Sequence, residues 1–402
     1  MKWILTDSYN FADDNAEHFY RFLRDKHPEI EIYYLLNKKS PDYKRLEKDG
    51  FKLITKGTDK CLKVYNKADL LISSHPWGNI CKEYNFNKSK RVVFIPHGIT
   101  LGDSHRYFNK YNFDLCTACV EGEYNSYVSG EYNYKAHEGV FKLTGMPRHD
   151  NLIKKIKKYK KGDEKVISFV FTYRSKKEDW EKYNNTLNKL FNSKRLKELH
   201  EKHGIRFLVK FHPFIVREGL VWSFNLPDYI ENCKEMSYQE LLLKTDILIS
   251  DYSSACQEFA VIGRNILYYQ FDRNEFLAKK SIHSYDIGWF DWDNDSLGKI
   301  CLTEKELIDS IDEIIANNFN VDEKYKERMD SFFKFKDTNN CERVYEAIIE
   351  MTKRERLKNS PNYKPENTGS IDKINRLRKD IREGRVFTMY DGNGKFVWTR
   401  VR

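Results

Sequence analysis

Five short polar segments, each directly after an apolar run, carry the residue types that hold phosphate and move protons: Pro96-His97-Gly98 after RVVFI, Thr144-Gly145-Met146-Pro147-Arg148 after VFKL, Thr172-Tyr173-Arg174 after VISFVF, His212-Pro213 after IRFLVKF, and Asp251-Tyr252-Ser253-Ser254 after DILIS. Ligands of open α/β sheets bind outside the carboxyl ends of the strands, so these are the first places to look. His97 and His212 stand beside Gly or Pro, where a neutral imidazole can face a cleft as a general base or donate to phosphate. A single histidine there is more often structural. Two of them, with two arginines and a Ser-Ser helix start, favour a site between two halves. Ser253 or Ser254 falls at the expected N-cap of a helix, where hydroxyls, free backbone amides and the helix dipole converge in a way that suits phosphate. Ordinary helix capping is the alternative. Arg148 and Arg174 carry the fork geometry that phosphate oxygens prefer, and a surface ion pair is the alternative for each. Gly98 and Asp251 are supporting positions, and His75 in LLISSHPWGN is a third histidine better explained by structure.

These segments need strands and helices to place them. KWILT, DNAEHFYRFLRDKH and EIEIYYLL read as strand, helix and strand, and further strand patterns follow at ADLLIS, RVVFIP, FDLCTACV and GVFKLTG. A first domain over 1–152 is expected. A lysine-dense segment over 153–165 follows it, expected as an interdomain linker with a helix end against an anionic surface as the alternative, then a second alternating series over 166–358. That series includes KVISFVFTYR, the helical SKRLKELHEKHG, IRFLVKFHP, LLLKTDILISDYSS and the helical ACQEFAVIG, with helices from about Glu304 to Lys358. Strands alternating with helices imply an α/β class with parallel sheets covered on both faces. A tail over 359–402 ends in VFTMYDGNGKFVWTRV, with Asp-Gly-Asn-Gly as a hairpin signal.

A chain of 402 residues exceeds the usual size of one core, which favours two domains. The apolar fraction of 40% can fill both, and 32% charged residues suit a soluble surface. The opening MKWILTD lacks the apolar stretch of a secretory signal, and no apolar run reaches the roughly 18 residues a span requires, so a cytoplasmic location is expected. The eight cysteines are scattered as reduced thiols would be; Cys116 and Cys119 lie in an apolar strand pattern with no second pair at zinc-site spacing. No metal is expected. The excess of 70 Lys plus Arg over 60 Asp plus Glu, a formal charge of +10, favours anionic partners. Lysines 154, 155, 157, 158, 160 and 161, with Trp398, are candidates for peripheral contact with an anionic membrane face; a solvated interdomain segment is the alternative. Gly-x-Gly-x-x-Gly, P-loop, nucleophile-elbow and His-Glu-x-x-His motifs are absent, as are RNA-binding aromatic motifs and zinc fingers, so no nucleic-acid partner is expected.

The ordered set of His97-Gly98, TGMPRHDNL from Thr144, FTYR from Phe171, KFHPF from Lys210 and TDILISDYSSACQEFAVIGRNILYYQFD from Thr245 resembles the CDP-glycerol glycerophosphotransferase family of teichoic acid and capsule synthesis. The resemblance implies a GT-B type fold of two Rossmann-like domains, the first on the acceptor side and the second binding a CDP-linked donor. It implies transfer of glycerol phosphate or ribitol phosphate to a hydroxyl of a lipid-linked or polymeric glycan, with release of CMP. By position, His97 and His212 match the family's motif histidines, Ser253 and Ser254 its serines near the donor phosphates, and Arg148 and Arg174 its basic residues. The CDP-alcohol is then a substrate, and no cofactor is expected. His97-Gly98-Ile99-Thr100 departs from the family's His-Gly-Thr-Pro, and Phe171-Thr172-Tyr173-Arg174 lacks its proline, which leaves alcohol and acceptor open. A sugar transferase on the same fold and a non-catalytic basic adaptor are the rival readings.

Overall fold

The computed structural model describes residues 1–76, 90–111, 113–134, 139–174, 177–278, 284–354, 386–390 and 396–400. Strands β1 (Lys2–Thr6), β2 (Glu31–Leu35), β3 (Leu53–Ile54), β4 (Leu70–Ser73), β5 (Arg91–Phe94), β7 (Leu115–Ala118) and β8 (Phe141–Leu143) form one parallel sheet, while the two-residue β6 (Gly102–Asp103) pairs elsewhere. The sheet order is β3-β2-β1-β4-β5-β7-β8. Its central strands are apolar on both faces, with all four residues of β4 buried, as helix-covered parallel strands must be. The Asn15–Lys26 helix shows how the cover forms. Asp14 caps its first turn, and Ala16, Phe19, Tyr20 and Leu23 recur at helical spacing and are buried on one face. Each large side chain there contributes roughly 1.5–3 kcal/mol of burial.

The second sheet joins β9 (Val166–Val170), β10 (Arg206–Val209), β11 (Ile230–Asn232), β12 (Ile247–Ser250), β13 (Asn265–Tyr269) and β15 (Lys299–Cys301), all parallel, in the order β11-β10-β9-β12-β13-β15. The expected α/β class with two Rossmann-like halves is what the chain forms. The halves are stitched together. β6 pairs antiparallel with β14 (Ser284–Gly288), and one apolar cluster runs from Ile99, Leu101 and Met146 to Leu248, Phe259 and Trp292.

Two boundaries differ from the sequence reading. Residues 153–165 are not a free linker: the Pro147–Lys158 helix occupies their first part, as the helix-end alternative has it. The Asn340–Lys353 helix does not belong with the second core either: Cys341, Val344, Ile348 and Met351 pack with Trp3, Leu5 and Phe19 of the first. Its amphipathic pattern was legible, but nothing in such a pattern says which sheet it covers.

Residues 352–402 form a separate unit. There β16 (Val386–Tyr390) pairs antiparallel with β17 (Phe396–Arg400), the expected hairpin. The Asp391–Gly394 turn, the rest of the tail and the side chain of Trp398 lie outside what is described. No described helix is long and apolar enough to cross a membrane.

Candidate active site

Register aligns the carboxyl ends of the first sheet. Thr6 stands opposite Ser73 and Ser73 opposite Phe94, so Asp7, His75 and His97 leave neighbouring strands along one rim. Asp7 is buried, and its carboxylate accepts from Ser74 Oγ at 2.6 Å, from Tyr34 Oη at 2.8 Å and from the amide of Ala16 at 2.7 Å. Burial, helped by the nearby Asp14 charge, pushes its pKa up to about 8. The same strand end fixes His75, whose Nδ1 lies 3.0 Å from the Asp7 carbonyl oxygen. A carbonyl only accepts, so Nδ1 carries a proton and donates it. The His75 ring stacks on the exposed ring of His97 with centroids 4.6 Å apart and planes 7° apart. Asn15, fully buried at the start of its helix, donates to the Pro96 carbonyl at 2.8 Å and accepts from the Arg148 amide at 3.3 Å.

The second sheet has a matching rim. Val209 pairs with Phe169 and Ser250 with Val170, which lines up His212, Thr172-Tyr173 and Asp251 after adjacent strands β10, β9 and β12. The buried Asp251 carboxylate accepts from the Thr172 amide at 2.9 Å, tying two of the loops together. Tyr173 lies against His212 with ring centroids 4.7 Å apart. His212 begins the short Pro213–Arg217 helix, and its Nδ1 accepts from the Phe214 amide at 3.1 Å. Burial, with Arg217 nearby, pushes its pKa down to about 4, so the ring is neutral at pH 7 and its Nε2 carries a proton to donate.

Ser254 is the N-cap of the Ala255–Ala260 helix, but the capping bond comes from Ser253, whose Oγ accepts from the Ala255 amide at 3.2 Å. Ser254 faces the other half instead. A methyl group placed on Gly98 would lie 2.9 Å from Ser254 Oγ and 3.1 Å from Ser254 Cβ. The histidine turn of the first half therefore sits directly on the serine turn of the second.

The two arginines expected as phosphate forks are each engaged by the protein. Arg148 is 8% exposed, and its guanidinium pairs with Asp14 and, at 3.0 Å, with Glu258, while Nη1 also donates to the His97 carbonyl at 2.5 Å. Four of its five N–H groups are thereby committed to protein, and the side chain locks the His97 turn to the Ser254 helix. Arg174 is 3% exposed and pairs with Asp251 at 3.0 Å and Asp272 at 2.8 Å, with the Phe276 ring centroid 4.6 Å from its guanidinium. Desolvating a cation requires such partners, and they occupy most of the donors of each guanidinium. Both arginines are thus held by carboxylates of the protein itself.

Sequence reasoning missed Asp7, Asn15 and Glu258. The Asp directly after KWILT and the Asp14-Asn15 helix start were the available signals for the first two; Glu258 looked like any helical glutamate. Cys116 and Cys119 are buried thiols pushed up in pKa by desolvation, as an apolar strand would make them. Among the described residues no three His, Cys, Asp or Glu side chains gather at metal-binding spacing. The lysine run splits. Lys154, Lys155 and Lys158 line a groove, Lys157 and Lys160 are exposed outside it, and Lys161 pairs with Asp246 at 2.8 Å.

Comparison with known proteins places this architecture. The minor teichoic acid biosynthesis protein GgaB of Bacillus subtilis is 30% identical over 377 residues, which cover 87% of this chain and 40% of that protein. The teichoic acid poly(ribitol-phosphate) polymerase of Bacillus spizizenii is 30% identical over 305 residues, 72% of this chain and 44% of that protein. The chain thus spans less than half the length of these relatives. The wall teichoic acid polymerase TagF superposes with a TM-score of 0.61 at 16% identity, over 87% of this chain and 88% of that one. The UDP-GlcNAc 2-epimerase of Neisseria meningitidis gives 0.52 at 14% identity, over 87% and 100%. At those identities the likeness shows the fold alone, which is of GT-B type. Residues 2–350 match a single family description across both sheets, and the chain belongs to the CDP-glycerol:poly(glycerophosphate) glycerophosphotransferase family.

Proposed function

We propose that this chain transfers glycerol phosphate or ribitol phosphate from a CDP-alcohol to a hydroxyl of a lipid-linked or polymeric cell-surface glycan and releases CMP. The observation that carries the reading is the seating of the His97-Gly98 turn on Ser254, which brings a histidine of one half to the helix start of the other. The acceptor oxygen forms a bond to the phosphorus bearing the alcohol, and the bond from that phosphorus to the CMP oxygen breaks. The hydroxyl proton passes to His97 as the base. His212 donates its Nε2 proton as a hydrogen bond to a phosphoryl oxygen, and the Ser253 and Ser254 hydroxyls stand beside the donor phosphates. Little covalent help is needed; alignment and neutralised oxygens supply the rate. Arg148, Arg174 and Asp251 hold the loops that carry these groups.

The family match and the similarity of this chain to teichoic acid proteins support this reading over a sugar transferase. Incubation with CDP-glycerol, CDP-ribitol and a panel of nucleotide sugars tests it. CMP is expected from a CDP-alcohol; nucleoside diphosphate released from a sugar donor would favour the sugar transferase, and neither product would favour the adaptor. We place the chain at the cytoplasmic face of the membrane. Contact with anionic lipid outside the groove rests on Lys157 and Lys160. At about 1 kcal/mol per basic residue this is a weak, salt-sensitive attachment, measurable by sedimentation with anionic and neutral vesicles.

A further inference from the structure

Beside the rim that carries His212 runs a groove of about 960 Å³ between the Pro147–Lys158 helix and the end of the edge strand β11. Lys154, Lys155 and Lys158 of that helix line one wall, and Lys234 and Lys244 line the other. The groove's carboxylates are largely occupied. Glu231 pairs with Arg206, and Glu240 accepts from the Ser237 amide at 2.9 Å as part of a helix cap. Glu235 lies 3.9 Å from Lys234. Among the described residues Lys154, Lys155, Lys158 and Lys244 close no salt bridge; Lys155 and Lys244 act on Glu240 only through its nearby charge, and the groove keeps an excess of cations.

The groove is joined to the site at two points. Asn151 on its helix wall donates to Gln239 at 2.7 Å, and Gln239 donates to the Arg148 carbonyl at 2.9 Å. Lys210, two residues before His212, donates to the carbonyl of Met236 on the opposite wall at 2.6 Å. From Arg148 the helix carries its lysines outward at 1.5 Å per residue, so Lys154 stands about 9 Å and Lys158 about 15 Å along the axis. A row of cations leading away from a phosphoryl-transfer centre inside a concave channel fits a chain with a negative charge at each repeat better than it fits a flat bilayer surface.

We propose that this groove holds the phosphodiester backbone of the acceptor polymer behind its reacting end. The proposal rests on the phosphotransferase reading of the adjoining site and specifies how that site would grip a growing product. Titration of the full chain with lipid-free oligo(glycerol phosphate) of short and long lengths tests it, with CDP binding measured alongside. The Lys154→Gln/Lys155→Gln/Lys158→Gln variant should lose on the order of tenfold to a hundredfold in affinity for long oligomers at low salt, with the loss shrinking as salt rises. It should keep wild-type affinity for CDP, and Lys→Arg at the same three positions should restore oligomer binding. Unchanged affinity for long oligomers, or a loss confined to phosphatidylglycerol vesicles, would overturn the proposal, the second outcome assigning the lysines to the membrane. Absence of CMP release by the wild-type chain would defeat the donor reading instead, and the oligomer titration is read independently of it.

Discussion

Gly98 and Ser254, from opposite halves of the molecule, approach so closely that a methyl group on the glycine would lie 2.9 Å from the serine hydroxyl. That contact sets where the exposed His97 ring stands relative to the Ser253-Ser254 turn. Gly98→Ala should force the hydroxyl to turn away and lower kcat/KM for the CDP-alcohol by about tenfold, and Ser254→Ala should do the same. Because the residues touch, the double variant should show a coupling of at least about 0.5 kcal/mol in a kinetic double-mutant cycle. Strict additivity would mean that the approach has no part in catalysis.

Arg174 separates structural pairing from donor binding. If it is the counter-charge of Asp251 and Asp272 rather than a phosphate ligand, Arg174→Ala strands two buried carboxylates and should cost about 3–5 kcal/mol in urea unfolding. Any protein that remains folded should bind CDP as the wild type does. A stable variant with weakened CDP binding would return Arg174 to the donor phosphates.

The stacked pair His75 and His97 separates positioning from chemistry. His75→Phe keeps a flat ring beneath His97 and should retain most activity, whereas His75→Ala should lower kcat by roughly tenfold without changing CDP affinity. Equal rates for the two variants would show that the stack does not hold the base.

Much of this was legible before any coordinates. Both sheets follow from apolar runs such as LLIS and VISFV, and the rims follow from parallel strands ending at His97, His212 and Asp251. Partner choice was not legible. A sequence shows that Arg148 is an arginine, but its carboxylates, Asp14 and Glu258, are brought to it only by the packed halves. The lysine run was legible as a run but not its division: Lys154, Lys155 and Lys158 line a groove, Lys161 pairs with Asp246, and Lys157 and Lys160 are exposed outside it.

His149 gives a pH prediction. Burial, aided by Arg148, pushes its pKa down to about 3, while in the unfolded chain it titrates near 6.5. A depressed imidazole contributes stability above the unfolded value and loses it as pH falls toward the folded one. His149→Gln, which cannot charge, should therefore make stability fall less steeply between pH 6 and pH 4, by about 1.4 kcal/mol per pH unit. Urea unfolding of both proteins at several pH values in that window measures it; parallel curves would mean that His149 is charged when folded.

Acceptor-dependent CMP release by wild type and His97→Ala tests most directly whether His97 is the base of a CDP-alcohol phosphotransferase assembled from both halves. The wild-type chain should release CMP from CDP-glycerol or CDP-ribitol when a polymeric or lipid-linked acceptor is added. His97→Ala should fall by about 10² to 10⁴ in rate while binding CDP with unchanged affinity. CMP release by His97→Ala at the wild-type rate would contradict the account.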